Sequence, residues 1–274
     1  MKETAAAKTP IRDWDSHFTA SSEVKRITSF LRRKVAESKA NGVVLGLSGG
    51  IDSAVVSSLC TRAIGPSKVT GIFLFENANR RSKDYKDARA LADLLHVKTM
   101  DIRISPAIST LARILAPSMP SVSRLTLGNI KARTRMIILY SVANQKGLLV
   151  AGTGDRSEAL LGYFTKYGDG AADVMPIAHL FKSEVRSLGA YLGLPLEIIS
   201  KPSTPNLWKG QMATDELPAD YDVLDPVLHM LFDQGKSTLE ASRLSGVSQR
   251  VIRKILQRYR SSTHKREMPM TLGV

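Results

Sequence analysis

The chain has 274 residues and a formal net charge of +14, a size that suits one α/β domain or two small ones. No apolar run approaches the ~18 residues of a membrane span, and the polar residues 1–20 lack the apolar core of a signal peptide, so we expect a cytoplasmic protein. The single cysteine, Cys60, excludes an internal disulfide and a metal site built from several cysteines.

The first predicted strand, residues 43–47, runs into the motif S-G-G-I-D-S at residues 48–53 and then into a helix-like segment. A strand, a glycine turn and a helix in this order point backbone N–H groups at a phosphate. The motif has no lysine, unlike the Walker loop G-x-x-x-x-G-K-[ST], and it places Asp52 where a phosphate would lie. Because a carboxylate repels a polyphosphate unless a divalent cation bridges the two, Asp52 implies Mg²⁺. The motif resembles the signature of the ATP pyrophosphatases, which cut ATP between its α- and β-phosphates.

Strands and helices alternate between residues 69 and 151. The sequence predicts strands at 69–75, 97–102 and 148–151, helices at 82–95, 111–115 and 129–144, and an irregular segment at 118–127. Such alternation implies right-handed crossovers and a parallel sheet, and so a doubly wound, Rossmann-like α/β fold. Ligands of these sheets bind at the carboxyl ends of the strands.

The rest of the chain is predicted to be mostly helical from Lys182 onward. Residues 200–218 are predicted to form a long loop or lid, because the segment contains three prolines and a glycine. Additional C-terminal helices are predicted at 223–232, 238–244 and 249–259, within the span 221–262. We expect a single domain over residues 1–274, with a polar segment at 1–25 that leads into the first helix.

Further candidate residues follow the predicted fourth strand. The loop G-T-G-D-R-S-E at 152–158 offers Thr153 to a nucleotide and Glu158 as a second acid, so Asp52 and Glu158 could hold one Mg²⁺ between them. The segment 162–173 combines glycines, aromatic rings and charges that could wrap a ligand. Lys182 is a further candidate for a phosphate contact.

The order of these segments resembles one family closely, the ammonia-dependent NAD⁺ synthetases of the N-type ATP pyrophosphatase superfamily. The resemblance runs from Val43 to Pro269. It depends on S-G-G-I-D-S, N-I-K-A-R-T-R-M at 129–136, G-T-x-x-x-S-E, G-Y-F-T-K-Y-G-D-G-A-A-D at 162–173, the lysine at 182 and H-K-R at 264–266. It implies a fold like that of the adenine nucleotide alpha hydrolases. It also implies that the nicotinate carboxylate of deamido-NAD⁺ attacks the α-phosphate of ATP, and that ammonia then attacks the acyl-adenylate to give NAD⁺ and AMP.

The resemblance also implies roles for individual residues. Asp52 and Lys182 would be catalytic, and Asp52 and Glu158 would bind Mg²⁺. The expected ATP contacts are Gly46, Leu47, Ser48, Gly49, Gly50, Ile51, Asp52, Ser53, Thr153, Lys182 and Thr204. The expected deamido-NAD⁺ contacts are Arg133, Lys166, Asp173, His264 and Lys265. A lid within 201–215 would close over the intermediate and exclude water, and the family is expected to be a homodimer with the dinucleotide near the subunit boundary.

The lid departs from the family pattern, so that either Thr204 or Ser203 could supply the hydroxyl that contacts ATP. Glutamine-dependent relatives carry a large amidase domain for which this chain has no room. We therefore expect free ammonia, or ammonia from a separate partner, as the nitrogen source.

Two alternatives stay open. The phosphate loop alone also fits another ATP pyrophosphatase that adenylates a base or an acyl group, although the downstream motifs disfavour it. Residues 238–260 resemble a helix-turn-helix with Gly246 at the turn and a basic second helix, which would suit a nucleotide-sensing DNA-binding protein. The charge of +14 fits a nucleic acid as well as the anionic pair of ATP and deamido-NAD⁺. We expect the small-molecule pair, with neither a nucleic acid nor a membrane as the partner.

Overall fold

The computed structural model describes residues 18–76, 82–119, 121–269 and 271–272. Its strands are β1 (Gly42–Gly46), β2 (Val69–Phe75), β3 (Lys98–Arg103) and β4 (Leu148–Val150). Its helices are α1 (Ala20–Glu37), α2 (Ile51–Ile64), α3 (Lys83–Leu94), α4 (Ser105–Leu115), α5 (Arg124–Lys146), α6 (Arg156–Leu161), α7 (Lys182–Tyr191), α8 (Leu196–Ile199), α9 (Ala213–Glu216), α10 (Tyr221–Phe232), α11 (Thr238–Ser245), α12 (Gln249–Ser261) and α13 (Thr263–Arg266). Every helix in these described ranges is too short or too polar to cross a bilayer. The cytoplasmic expectation depends largely on residues 1–17, which lie outside the described residues, and it stays a prediction.

The strands form one parallel sheet in the order β3-β2-β1-β4. In the register of the sheet, Val44 of β1 lies opposite Thr70 of β2 and opposite Val150 of β4. Val43, Val44 and Leu45 are fully buried because both faces of the sheet are covered, which is why β1 is apolar without alternation. Since β1 and β4 are neighbours, the loops that follow them lie at the same carboxyl edge of the sheet.

Helices cover the two faces of this sheet. On one face, α1, α2 and α7 pack together and share a core with β1 and β2. On the other face, α5 packs on β1 and β4, with Ala143, Leu139 and Tyr140 at the contact. The predicted doubly wound parallel α/β fold is therefore confirmed.

A second core lies among the C-terminal helices. Leu161 of α6, Leu224 of α10, Ala241 of α11 and Ile252 of α12 are buried together in it. α10 also packs against α7, which joins this core to the helices on the sheet. The three C-terminal helices are found where the sequence predicts them, and the 200–218 segment is irregular apart from α9. The single-domain organisation over residues 1–274 stays a prediction.

Several predicted boundaries are wrong by a few residues. β1 ends at Gly46 rather than 47, and β4 ends at Val150 rather than 151. The helix predicted to contain residues 111–115 and to end before Pro117 is α4, which begins at Ser105, has a proline in its first turn and ends at Leu115. The segment 118–127 is not irregular throughout, because Ser123 accepts a hydrogen bond from the Thr126 N–H at 3.1 Å and so caps α5.

Candidate active site at the carboxyl edge of the sheet

The S-G-G-I-D-S loop joins β1 to α2 and is held by its own serines. The hydroxyls of Ser48 and Ser53 lie 3.0 Å apart, the Gly50 N–H donates to Ser48 Oγ at 3.2 Å, and Ser53 Oγ donates to the Gly50 carbonyl at 3.0 Å. Gly49 has φ of +77°, and a Cβ there would lie 2.3 Å from the Asp84 carbonyl oxygen. Only glycine therefore fits this position, and the loop leads straight into the N-terminus of α2, where N–H groups favour an anion.

Two of the predicted ATP contacts in this loop have side chains that pack into the core. The side chains of Leu47 and Ile51 are buried in the core beneath the sheet's edge, and the Leu47 N–H donates to the Ile72 carbonyl at 2.9 Å. Any contact that Ile51 makes with a nucleotide must therefore use its backbone. Gly46 ends β1, and Thr153 lies in the loop after β4, so that both border the same edge of the sheet.

Lys182 lies at the centre of the site, surrounded by three carboxylates. Its side chain is fully buried, and its Nζ is 2.8 Å from both oxygens of Asp52, 2.8 Å from Asp155 Oδ2 and 3.0 Å from Glu158 Oε1. The structure thus brings together the predicted Asp52, Glu158 and Lys182, which come from α2, α6 and α7. Asp155 belongs to the same cluster but was not among the predicted site residues, since only Thr153 and Glu158 of this loop were assigned a role.

A local motif of α6 explains how two of these acids are placed. Asp155 is the N-cap of the helix and accepts the Glu158 N–H at 2.8 Å, while Glu158 reaches back to the Asp155 N–H at 3.4 Å. This capping box holds both carboxyl groups at the start of the helix, beside the end of β4. The spacing of an acid three residues before a glutamate, directly after a strand, is the sequence signal that could have identified Asp155.

The charges in this cluster shift one another's protonation. Burial by itself lowers the pKa of Lys182, but the charges of Asp155, Asp52 and Glu158 outweigh it and raise that pKa well above its ordinary value. Burial raises the pKa of Asp155, and it raises the pKa of Glu158 well above its usual range, although Lys182 opposes both shifts. Lys182 therefore stays protonated, and the site is short of positive charge.

A second buried acid fixes the start of α7. Asp225 of α10 accepts hydrogen bonds from Ser157 Oγ at 2.6 Å and from the N–H and Oγ of Ser183, each at 2.8 Å. Ser157 Oγ in turn accepts the Lys182 N–H at 3.0 Å. Burial raises the pKa of Asp225 to about 6, against the effect of these hydrogen bonds. Sequence reasoning missed this residue, although an acid inside the apolar run V-L-D-P-V-L was a usable signal.

The predicted lid is anchored to the phosphate loop by Lys201. Its Nζ donates to the Gly49 carbonyl at 2.7 Å and lies 2.9 Å from a carboxylate oxygen of Asp84 and of Asp87. Thr204 Oγ1 donates to the Gln211 carbonyl at 2.6 Å, within the lid itself.

The two candidate lid hydroxyls differ in their surroundings. Ser203 Oγ is buried and makes no hydrogen bond to the described residues, whereas Thr204 Oγ1 is engaged with the lid backbone. The choice between Ser203 and Thr204 as the ATP contact stays a prediction.

Four of the five predicted dinucleotide contacts lie together. Arg133 donates to the Lys166 carbonyl at 3.3 Å, and Lys166 Nζ donates to the His264 carbonyl. Lys265 Nζ donates to the carbonyls of Gly162 and Phe164, both at 2.8 Å. The segment 162–173 and the one-turn helix α13 thus form one basic surface with aromatic rings.

Asp173 has a different environment from that group. Its Oδ2 accepts the Val150 N–H at 2.7 Å, and Tyr140 Oη donates to its Oδ1 at 3.2 Å. These hydrogen bonds connect Asp173 to the last residue of β4 and to α5, so the side chain has a structural role in holding this edge of the sheet against the helix.

The Lys182 cluster consists of Lys182, Asp52, Asp155 and Glu158. Its carboxylates can bind a magnesium ion only if phosphate oxygens supply further ligands. Among the described residues, no three His, Cys, Asp or Glu side chains are grouped so as to hold a metal by themselves. Mg²⁺ commonly binds through one or two carboxylates and completes its shell with phosphate oxygens and water. Asp52 and Glu158 keep 23% and 22% of their side-chain surface exposed, and the cluster has an excess of acids, so this donor set fits the ion.

Comparison with known proteins gives one consistent family. The family model described as NAD synthase matches residues 23–269. The NH(3)-dependent NAD(+) synthetase of Hyperthermus butylicus is 45% identical over 245 residues, which cover 89% of this chain and 88% of that protein. That of Methanocaldococcus jannaschii is 41% identical over 248 residues, which cover 90% of this chain and 95% of that protein.

Solved structures agree with this result. An NMN synthetase from Francisella tularensis superposes with a TM-score of 0.81 and 34% identity, covering 94% of this chain and all of that one. An NH3-dependent NAD synthetase from Campylobacter jejuni, solved with a nitrate ion, gives a TM-score of 0.77 and 30% identity over 93% of this chain. The family match spans both the phosphate loop and the basic surface of α13, and it confirms the predicted resemblance: the chain belongs to the NAD synthase family.

Proposed function

We propose that the chain forms NAD⁺ from deamido-NAD⁺, ATP and ammonia, with release of AMP and pyrophosphate. The observation that carries this proposal is the Lys182 cluster, which lies at the end of an S-G-G-I-D-S loop in a chain of the NAD synthase family. The nicotinate carboxylate attacks the α-phosphorus, the bond to the β-phosphate breaks, and an acyl-adenylate forms. Ammonia then attacks the acyl carbon, AMP leaves, and one proton is released.

The chain's own groups bind and orient the reactants rather than form covalent bonds with them. N–H groups of residues 48–53 and the N-terminus of α2 bind the leaving pyrophosphate. The Lys182 ammonium keeps its proton and balances negative charge at the same place. Lys201 ties residues 201–215 to Gly49, so that the lid can cover the adenylate and exclude water.

Asp52 and Glu158 would hold Mg²⁺ in the presence of ATP. The ion supplies charge neutralisation to the leaving pyrophosphate, which three carboxylates and one lysine do not provide. Thr153 and either Thr204 or Ser203 would contact ATP.

The basic surface of Arg133, Lys166, His264 and Lys265 would bind deamido-NAD⁺, whose two phosphates it can neutralise. Its neighbour Phe164 offers a ring to an aromatic base, with Lys265 Nζ 5.5 Å from the ring centroid. Asp173 would act here indirectly, by holding β4 against α5.

A second candidate substrate is nicotinate mononucleotide, because one of the similar solved structures is named an NMN synthetase. The chemistry would be the same, with a substrate that lacks the adenylate half. The basic surface around Lys265 favours the larger dinucleotide.

One assay tests both candidates. The purified chain is incubated with ATP, Mg²⁺ and ammonium, with either deamido-NAD⁺ or nicotinate mononucleotide, and the products are quantified. We expect NAD⁺, AMP and pyrophosphate in equal amounts, with the dinucleotide preferred. Asp52→Asn should abolish the reaction, whereas Asp93→Asn on the exposed face of α3 should not. Formation of ADP and orthophosphate, or full activity of Asp52→Asn, would refute the proposed mechanism.

We also infer that the protein is a homodimer, with α4 and α5 at its interface. Large apolar side chains are exposed on this part of the surface. They are Leu111, Ile114, Met119, Leu125 and Ile137, with exposures between 39% and 67%. Because α4 packs against α5, these side chains belong to neighbouring helices, and several large apolar side chains exposed on one region are typical of a protein interface.

A further inference from the structure

The C-terminal helices contain a helix-turn-helix whose outer face has no role in the proposed reaction. α11 (Thr238–Ser245) and α12 (Gln249–Ser261) are joined by the three-residue turn 246–248. Gly246 has φ of +69° and ends α11, and Ser248 caps α12. Two helices joined by a short turn with a glycine are the architecture of a common class of DNA-binding unit.

The three helices α10, α11 and α12 share a core, which fixes the face that α12 presents outward. Leu224 and Leu228 of α10, Ala241 of α11, and Ile252 and Ile255 of α12 are at most 1% exposed. The small Ala241 lets α11 approach its neighbours closely. Because the apolar stripe of α12 is used in this core, its opposite face lies in solvent.

The outer face of α12 is a stripe of cations. Four cations of α12 are exposed: Arg250, Arg253, Lys254 and Arg260. The last three follow Arg250 by three, four and ten residues, a spacing that places all four along one side of the helix. α12 contains no acidic residue. The segment 236–266 holds nine lysines and arginines and one acid, Glu240, which is a net charge of +8 out of the chain's +14. Glu240 is occupied in the capping box at the start of α11.

We propose that α12 binds duplex DNA in the major groove, with its outer cations on the phosphates. An α-helix fits the width of that groove, and 13 residues of helix are about 20 Å long, enough to follow it. The groups placed on deamido-NAD⁺, His264 and Lys265, lie beyond the C-terminus of α12. The two activities would therefore use separate surfaces of one chain.

The test is a titration of a fluorescent 24-base-pair duplex with the full chain, followed by anisotropy at several salt concentrations. The probe variant is Arg250→Gln, Arg253→Gln and Lys254→Gln together. The control variant is Lys68→Gln, Lys86→Gln and Lys98→Gln, which removes the same charge from exposed positions on other elements. Thermal unfolding verifies that each variant is folded, and NAD⁺ formation should be unchanged in both.

We expect the unaltered chain to bind with a Kd of about 1–100 μM near physiological salt. The α12 variant should bind at least about tenfold more weakly, with its salt slope reduced by about 3. The control variant should lose less than about threefold. Equal losses in both variants would mean diffuse attraction to net charge, and they would overturn the proposal. Absent binding at low salt, or tighter binding of single-stranded DNA or heparin than of the duplex, would overturn it as well.

Discussion

Lys182 faces more negative charge than it can balance. Asp52, Asp155 and Glu158 all lie within 3.0 Å of its Nζ, so that the ionised cluster carries an excess of two negative charges. Burying several charges together lowers the stability of the fold unless each charge has a partner of opposite sign. The cluster is therefore suited to a state in which a divalent cation and a polyphosphate complete it.

Replacing Lys182 should show how far activity and stability depend on the charge balance of this cluster. Lys182→Met leaves three carboxylates facing one another without a partner. We expect NAD⁺ formation to fall by at least about 100-fold and the free energy of unfolding to fall by about 3–5 kcal/mol. Urea unfolding and the product assay measure the two effects.

A double variant separates charge from catalysis in this cluster. Adding Asp155→Asn to Lys182→Met removes part of the repulsion, so it should restore part of the stability but none of the activity. If Lys182→Met alone were as stable as the unaltered chain, the lysine would not be holding the cluster together.

The stability of the protein should depend on pH through Asp225. Burial raises its pKa in the folded state to about 6, whereas an unfolded chain loses that proton near pH 4. Between these values the folded state binds more protons than the unfolded state, so this carboxyl makes stability fall as pH rises from 4 to 6. Above pH 6 the buried carboxylate is ionised and lowers the free energy of unfolding by about 3 kcal/mol, which corresponds to the difference between the folded and unfolded pKa values.

Asp225→Asn isolates this effect, because the amide does not titrate. Relative to the unaltered chain, the variant should become progressively more stable between pH 4 and 6, as measured by urea unfolding at each pH. Asp93→Asn serves as the control at an exposed position. A stability difference between Asp225→Asn and the unaltered chain that does not vary with pH would contradict the assignment.

At the scale of elements, the phosphate loop combines two glycines with different tasks. Gly49 needs its positive φ and its missing Cβ, since the Asp84 carbonyl oxygen would lie 2.3 Å from that atom. Gly50 has φ of −90°, and a Cβ there would meet only Ser48 Oγ, at 3.4 Å.

A pair of alanine variants tests this difference. Gly49→Ala should lower the free energy of unfolding by about 2–4 kcal/mol, because the loop must move away from α3. Gly50→Ala should change it by less than about 0.5 kcal/mol. Chemical unfolding of the two variants side by side gives the answer, and equal losses would show that the loop does not press on α3.

What the sequence predicts at this scale depends on how local the signal is. The S-G-G-I-D-S loop and the parallel sheet were predictable, because periodicity and a contiguous motif carry them. The partners of Lys201 and Asp225 were not, since Asp84 and Ser157 lie 117 and 68 residues away from them along the chain. Only the fold brings such pairs together, and a single sequence holds no record of them.

The same limit applies to helices with little apolar character. α1 shows only a short stripe of Ile27, Leu31 and Val35 among charged residues, and the sequence predicted no more than its start. Packing against α2 and α7 stabilises α1, although its composition alone does not predict the full helix.

At the scale of the whole molecule, the apolar surface of α4 and α5 and the basic segment 236–266 lie on different helices. The segment 236–266 carries a net charge of +8, and its helix α11 also exposes Leu239 and Leu244, whereas α4 and α5 expose Leu111, Ile114, Leu125 and Ile137. Two copies that met through their basic regions would repel each other. Association through the apolar surface avoids that repulsion and removes apolar area from water.

Ile114 provides the sharpest test of the proposed dimer. It lies on α4 and is 67% exposed, and Leu94 on α3 is 66% exposed, so that the two positions are matched in residue size and exposure. Replacement of either residue by glutamate should change the stability of a monomer by less than about 0.5 kcal/mol. If α4 and α5 form the interface, Ile114→Glu buries a charge between two copies, and sedimentation velocity should show a monomer, whereas Leu94→Glu stays dimeric. A dimer that survives Ile114→Glu but dissociates with Leu94→Glu would move the interface to α3, and a monomeric unaltered chain would exclude the dimer altogether.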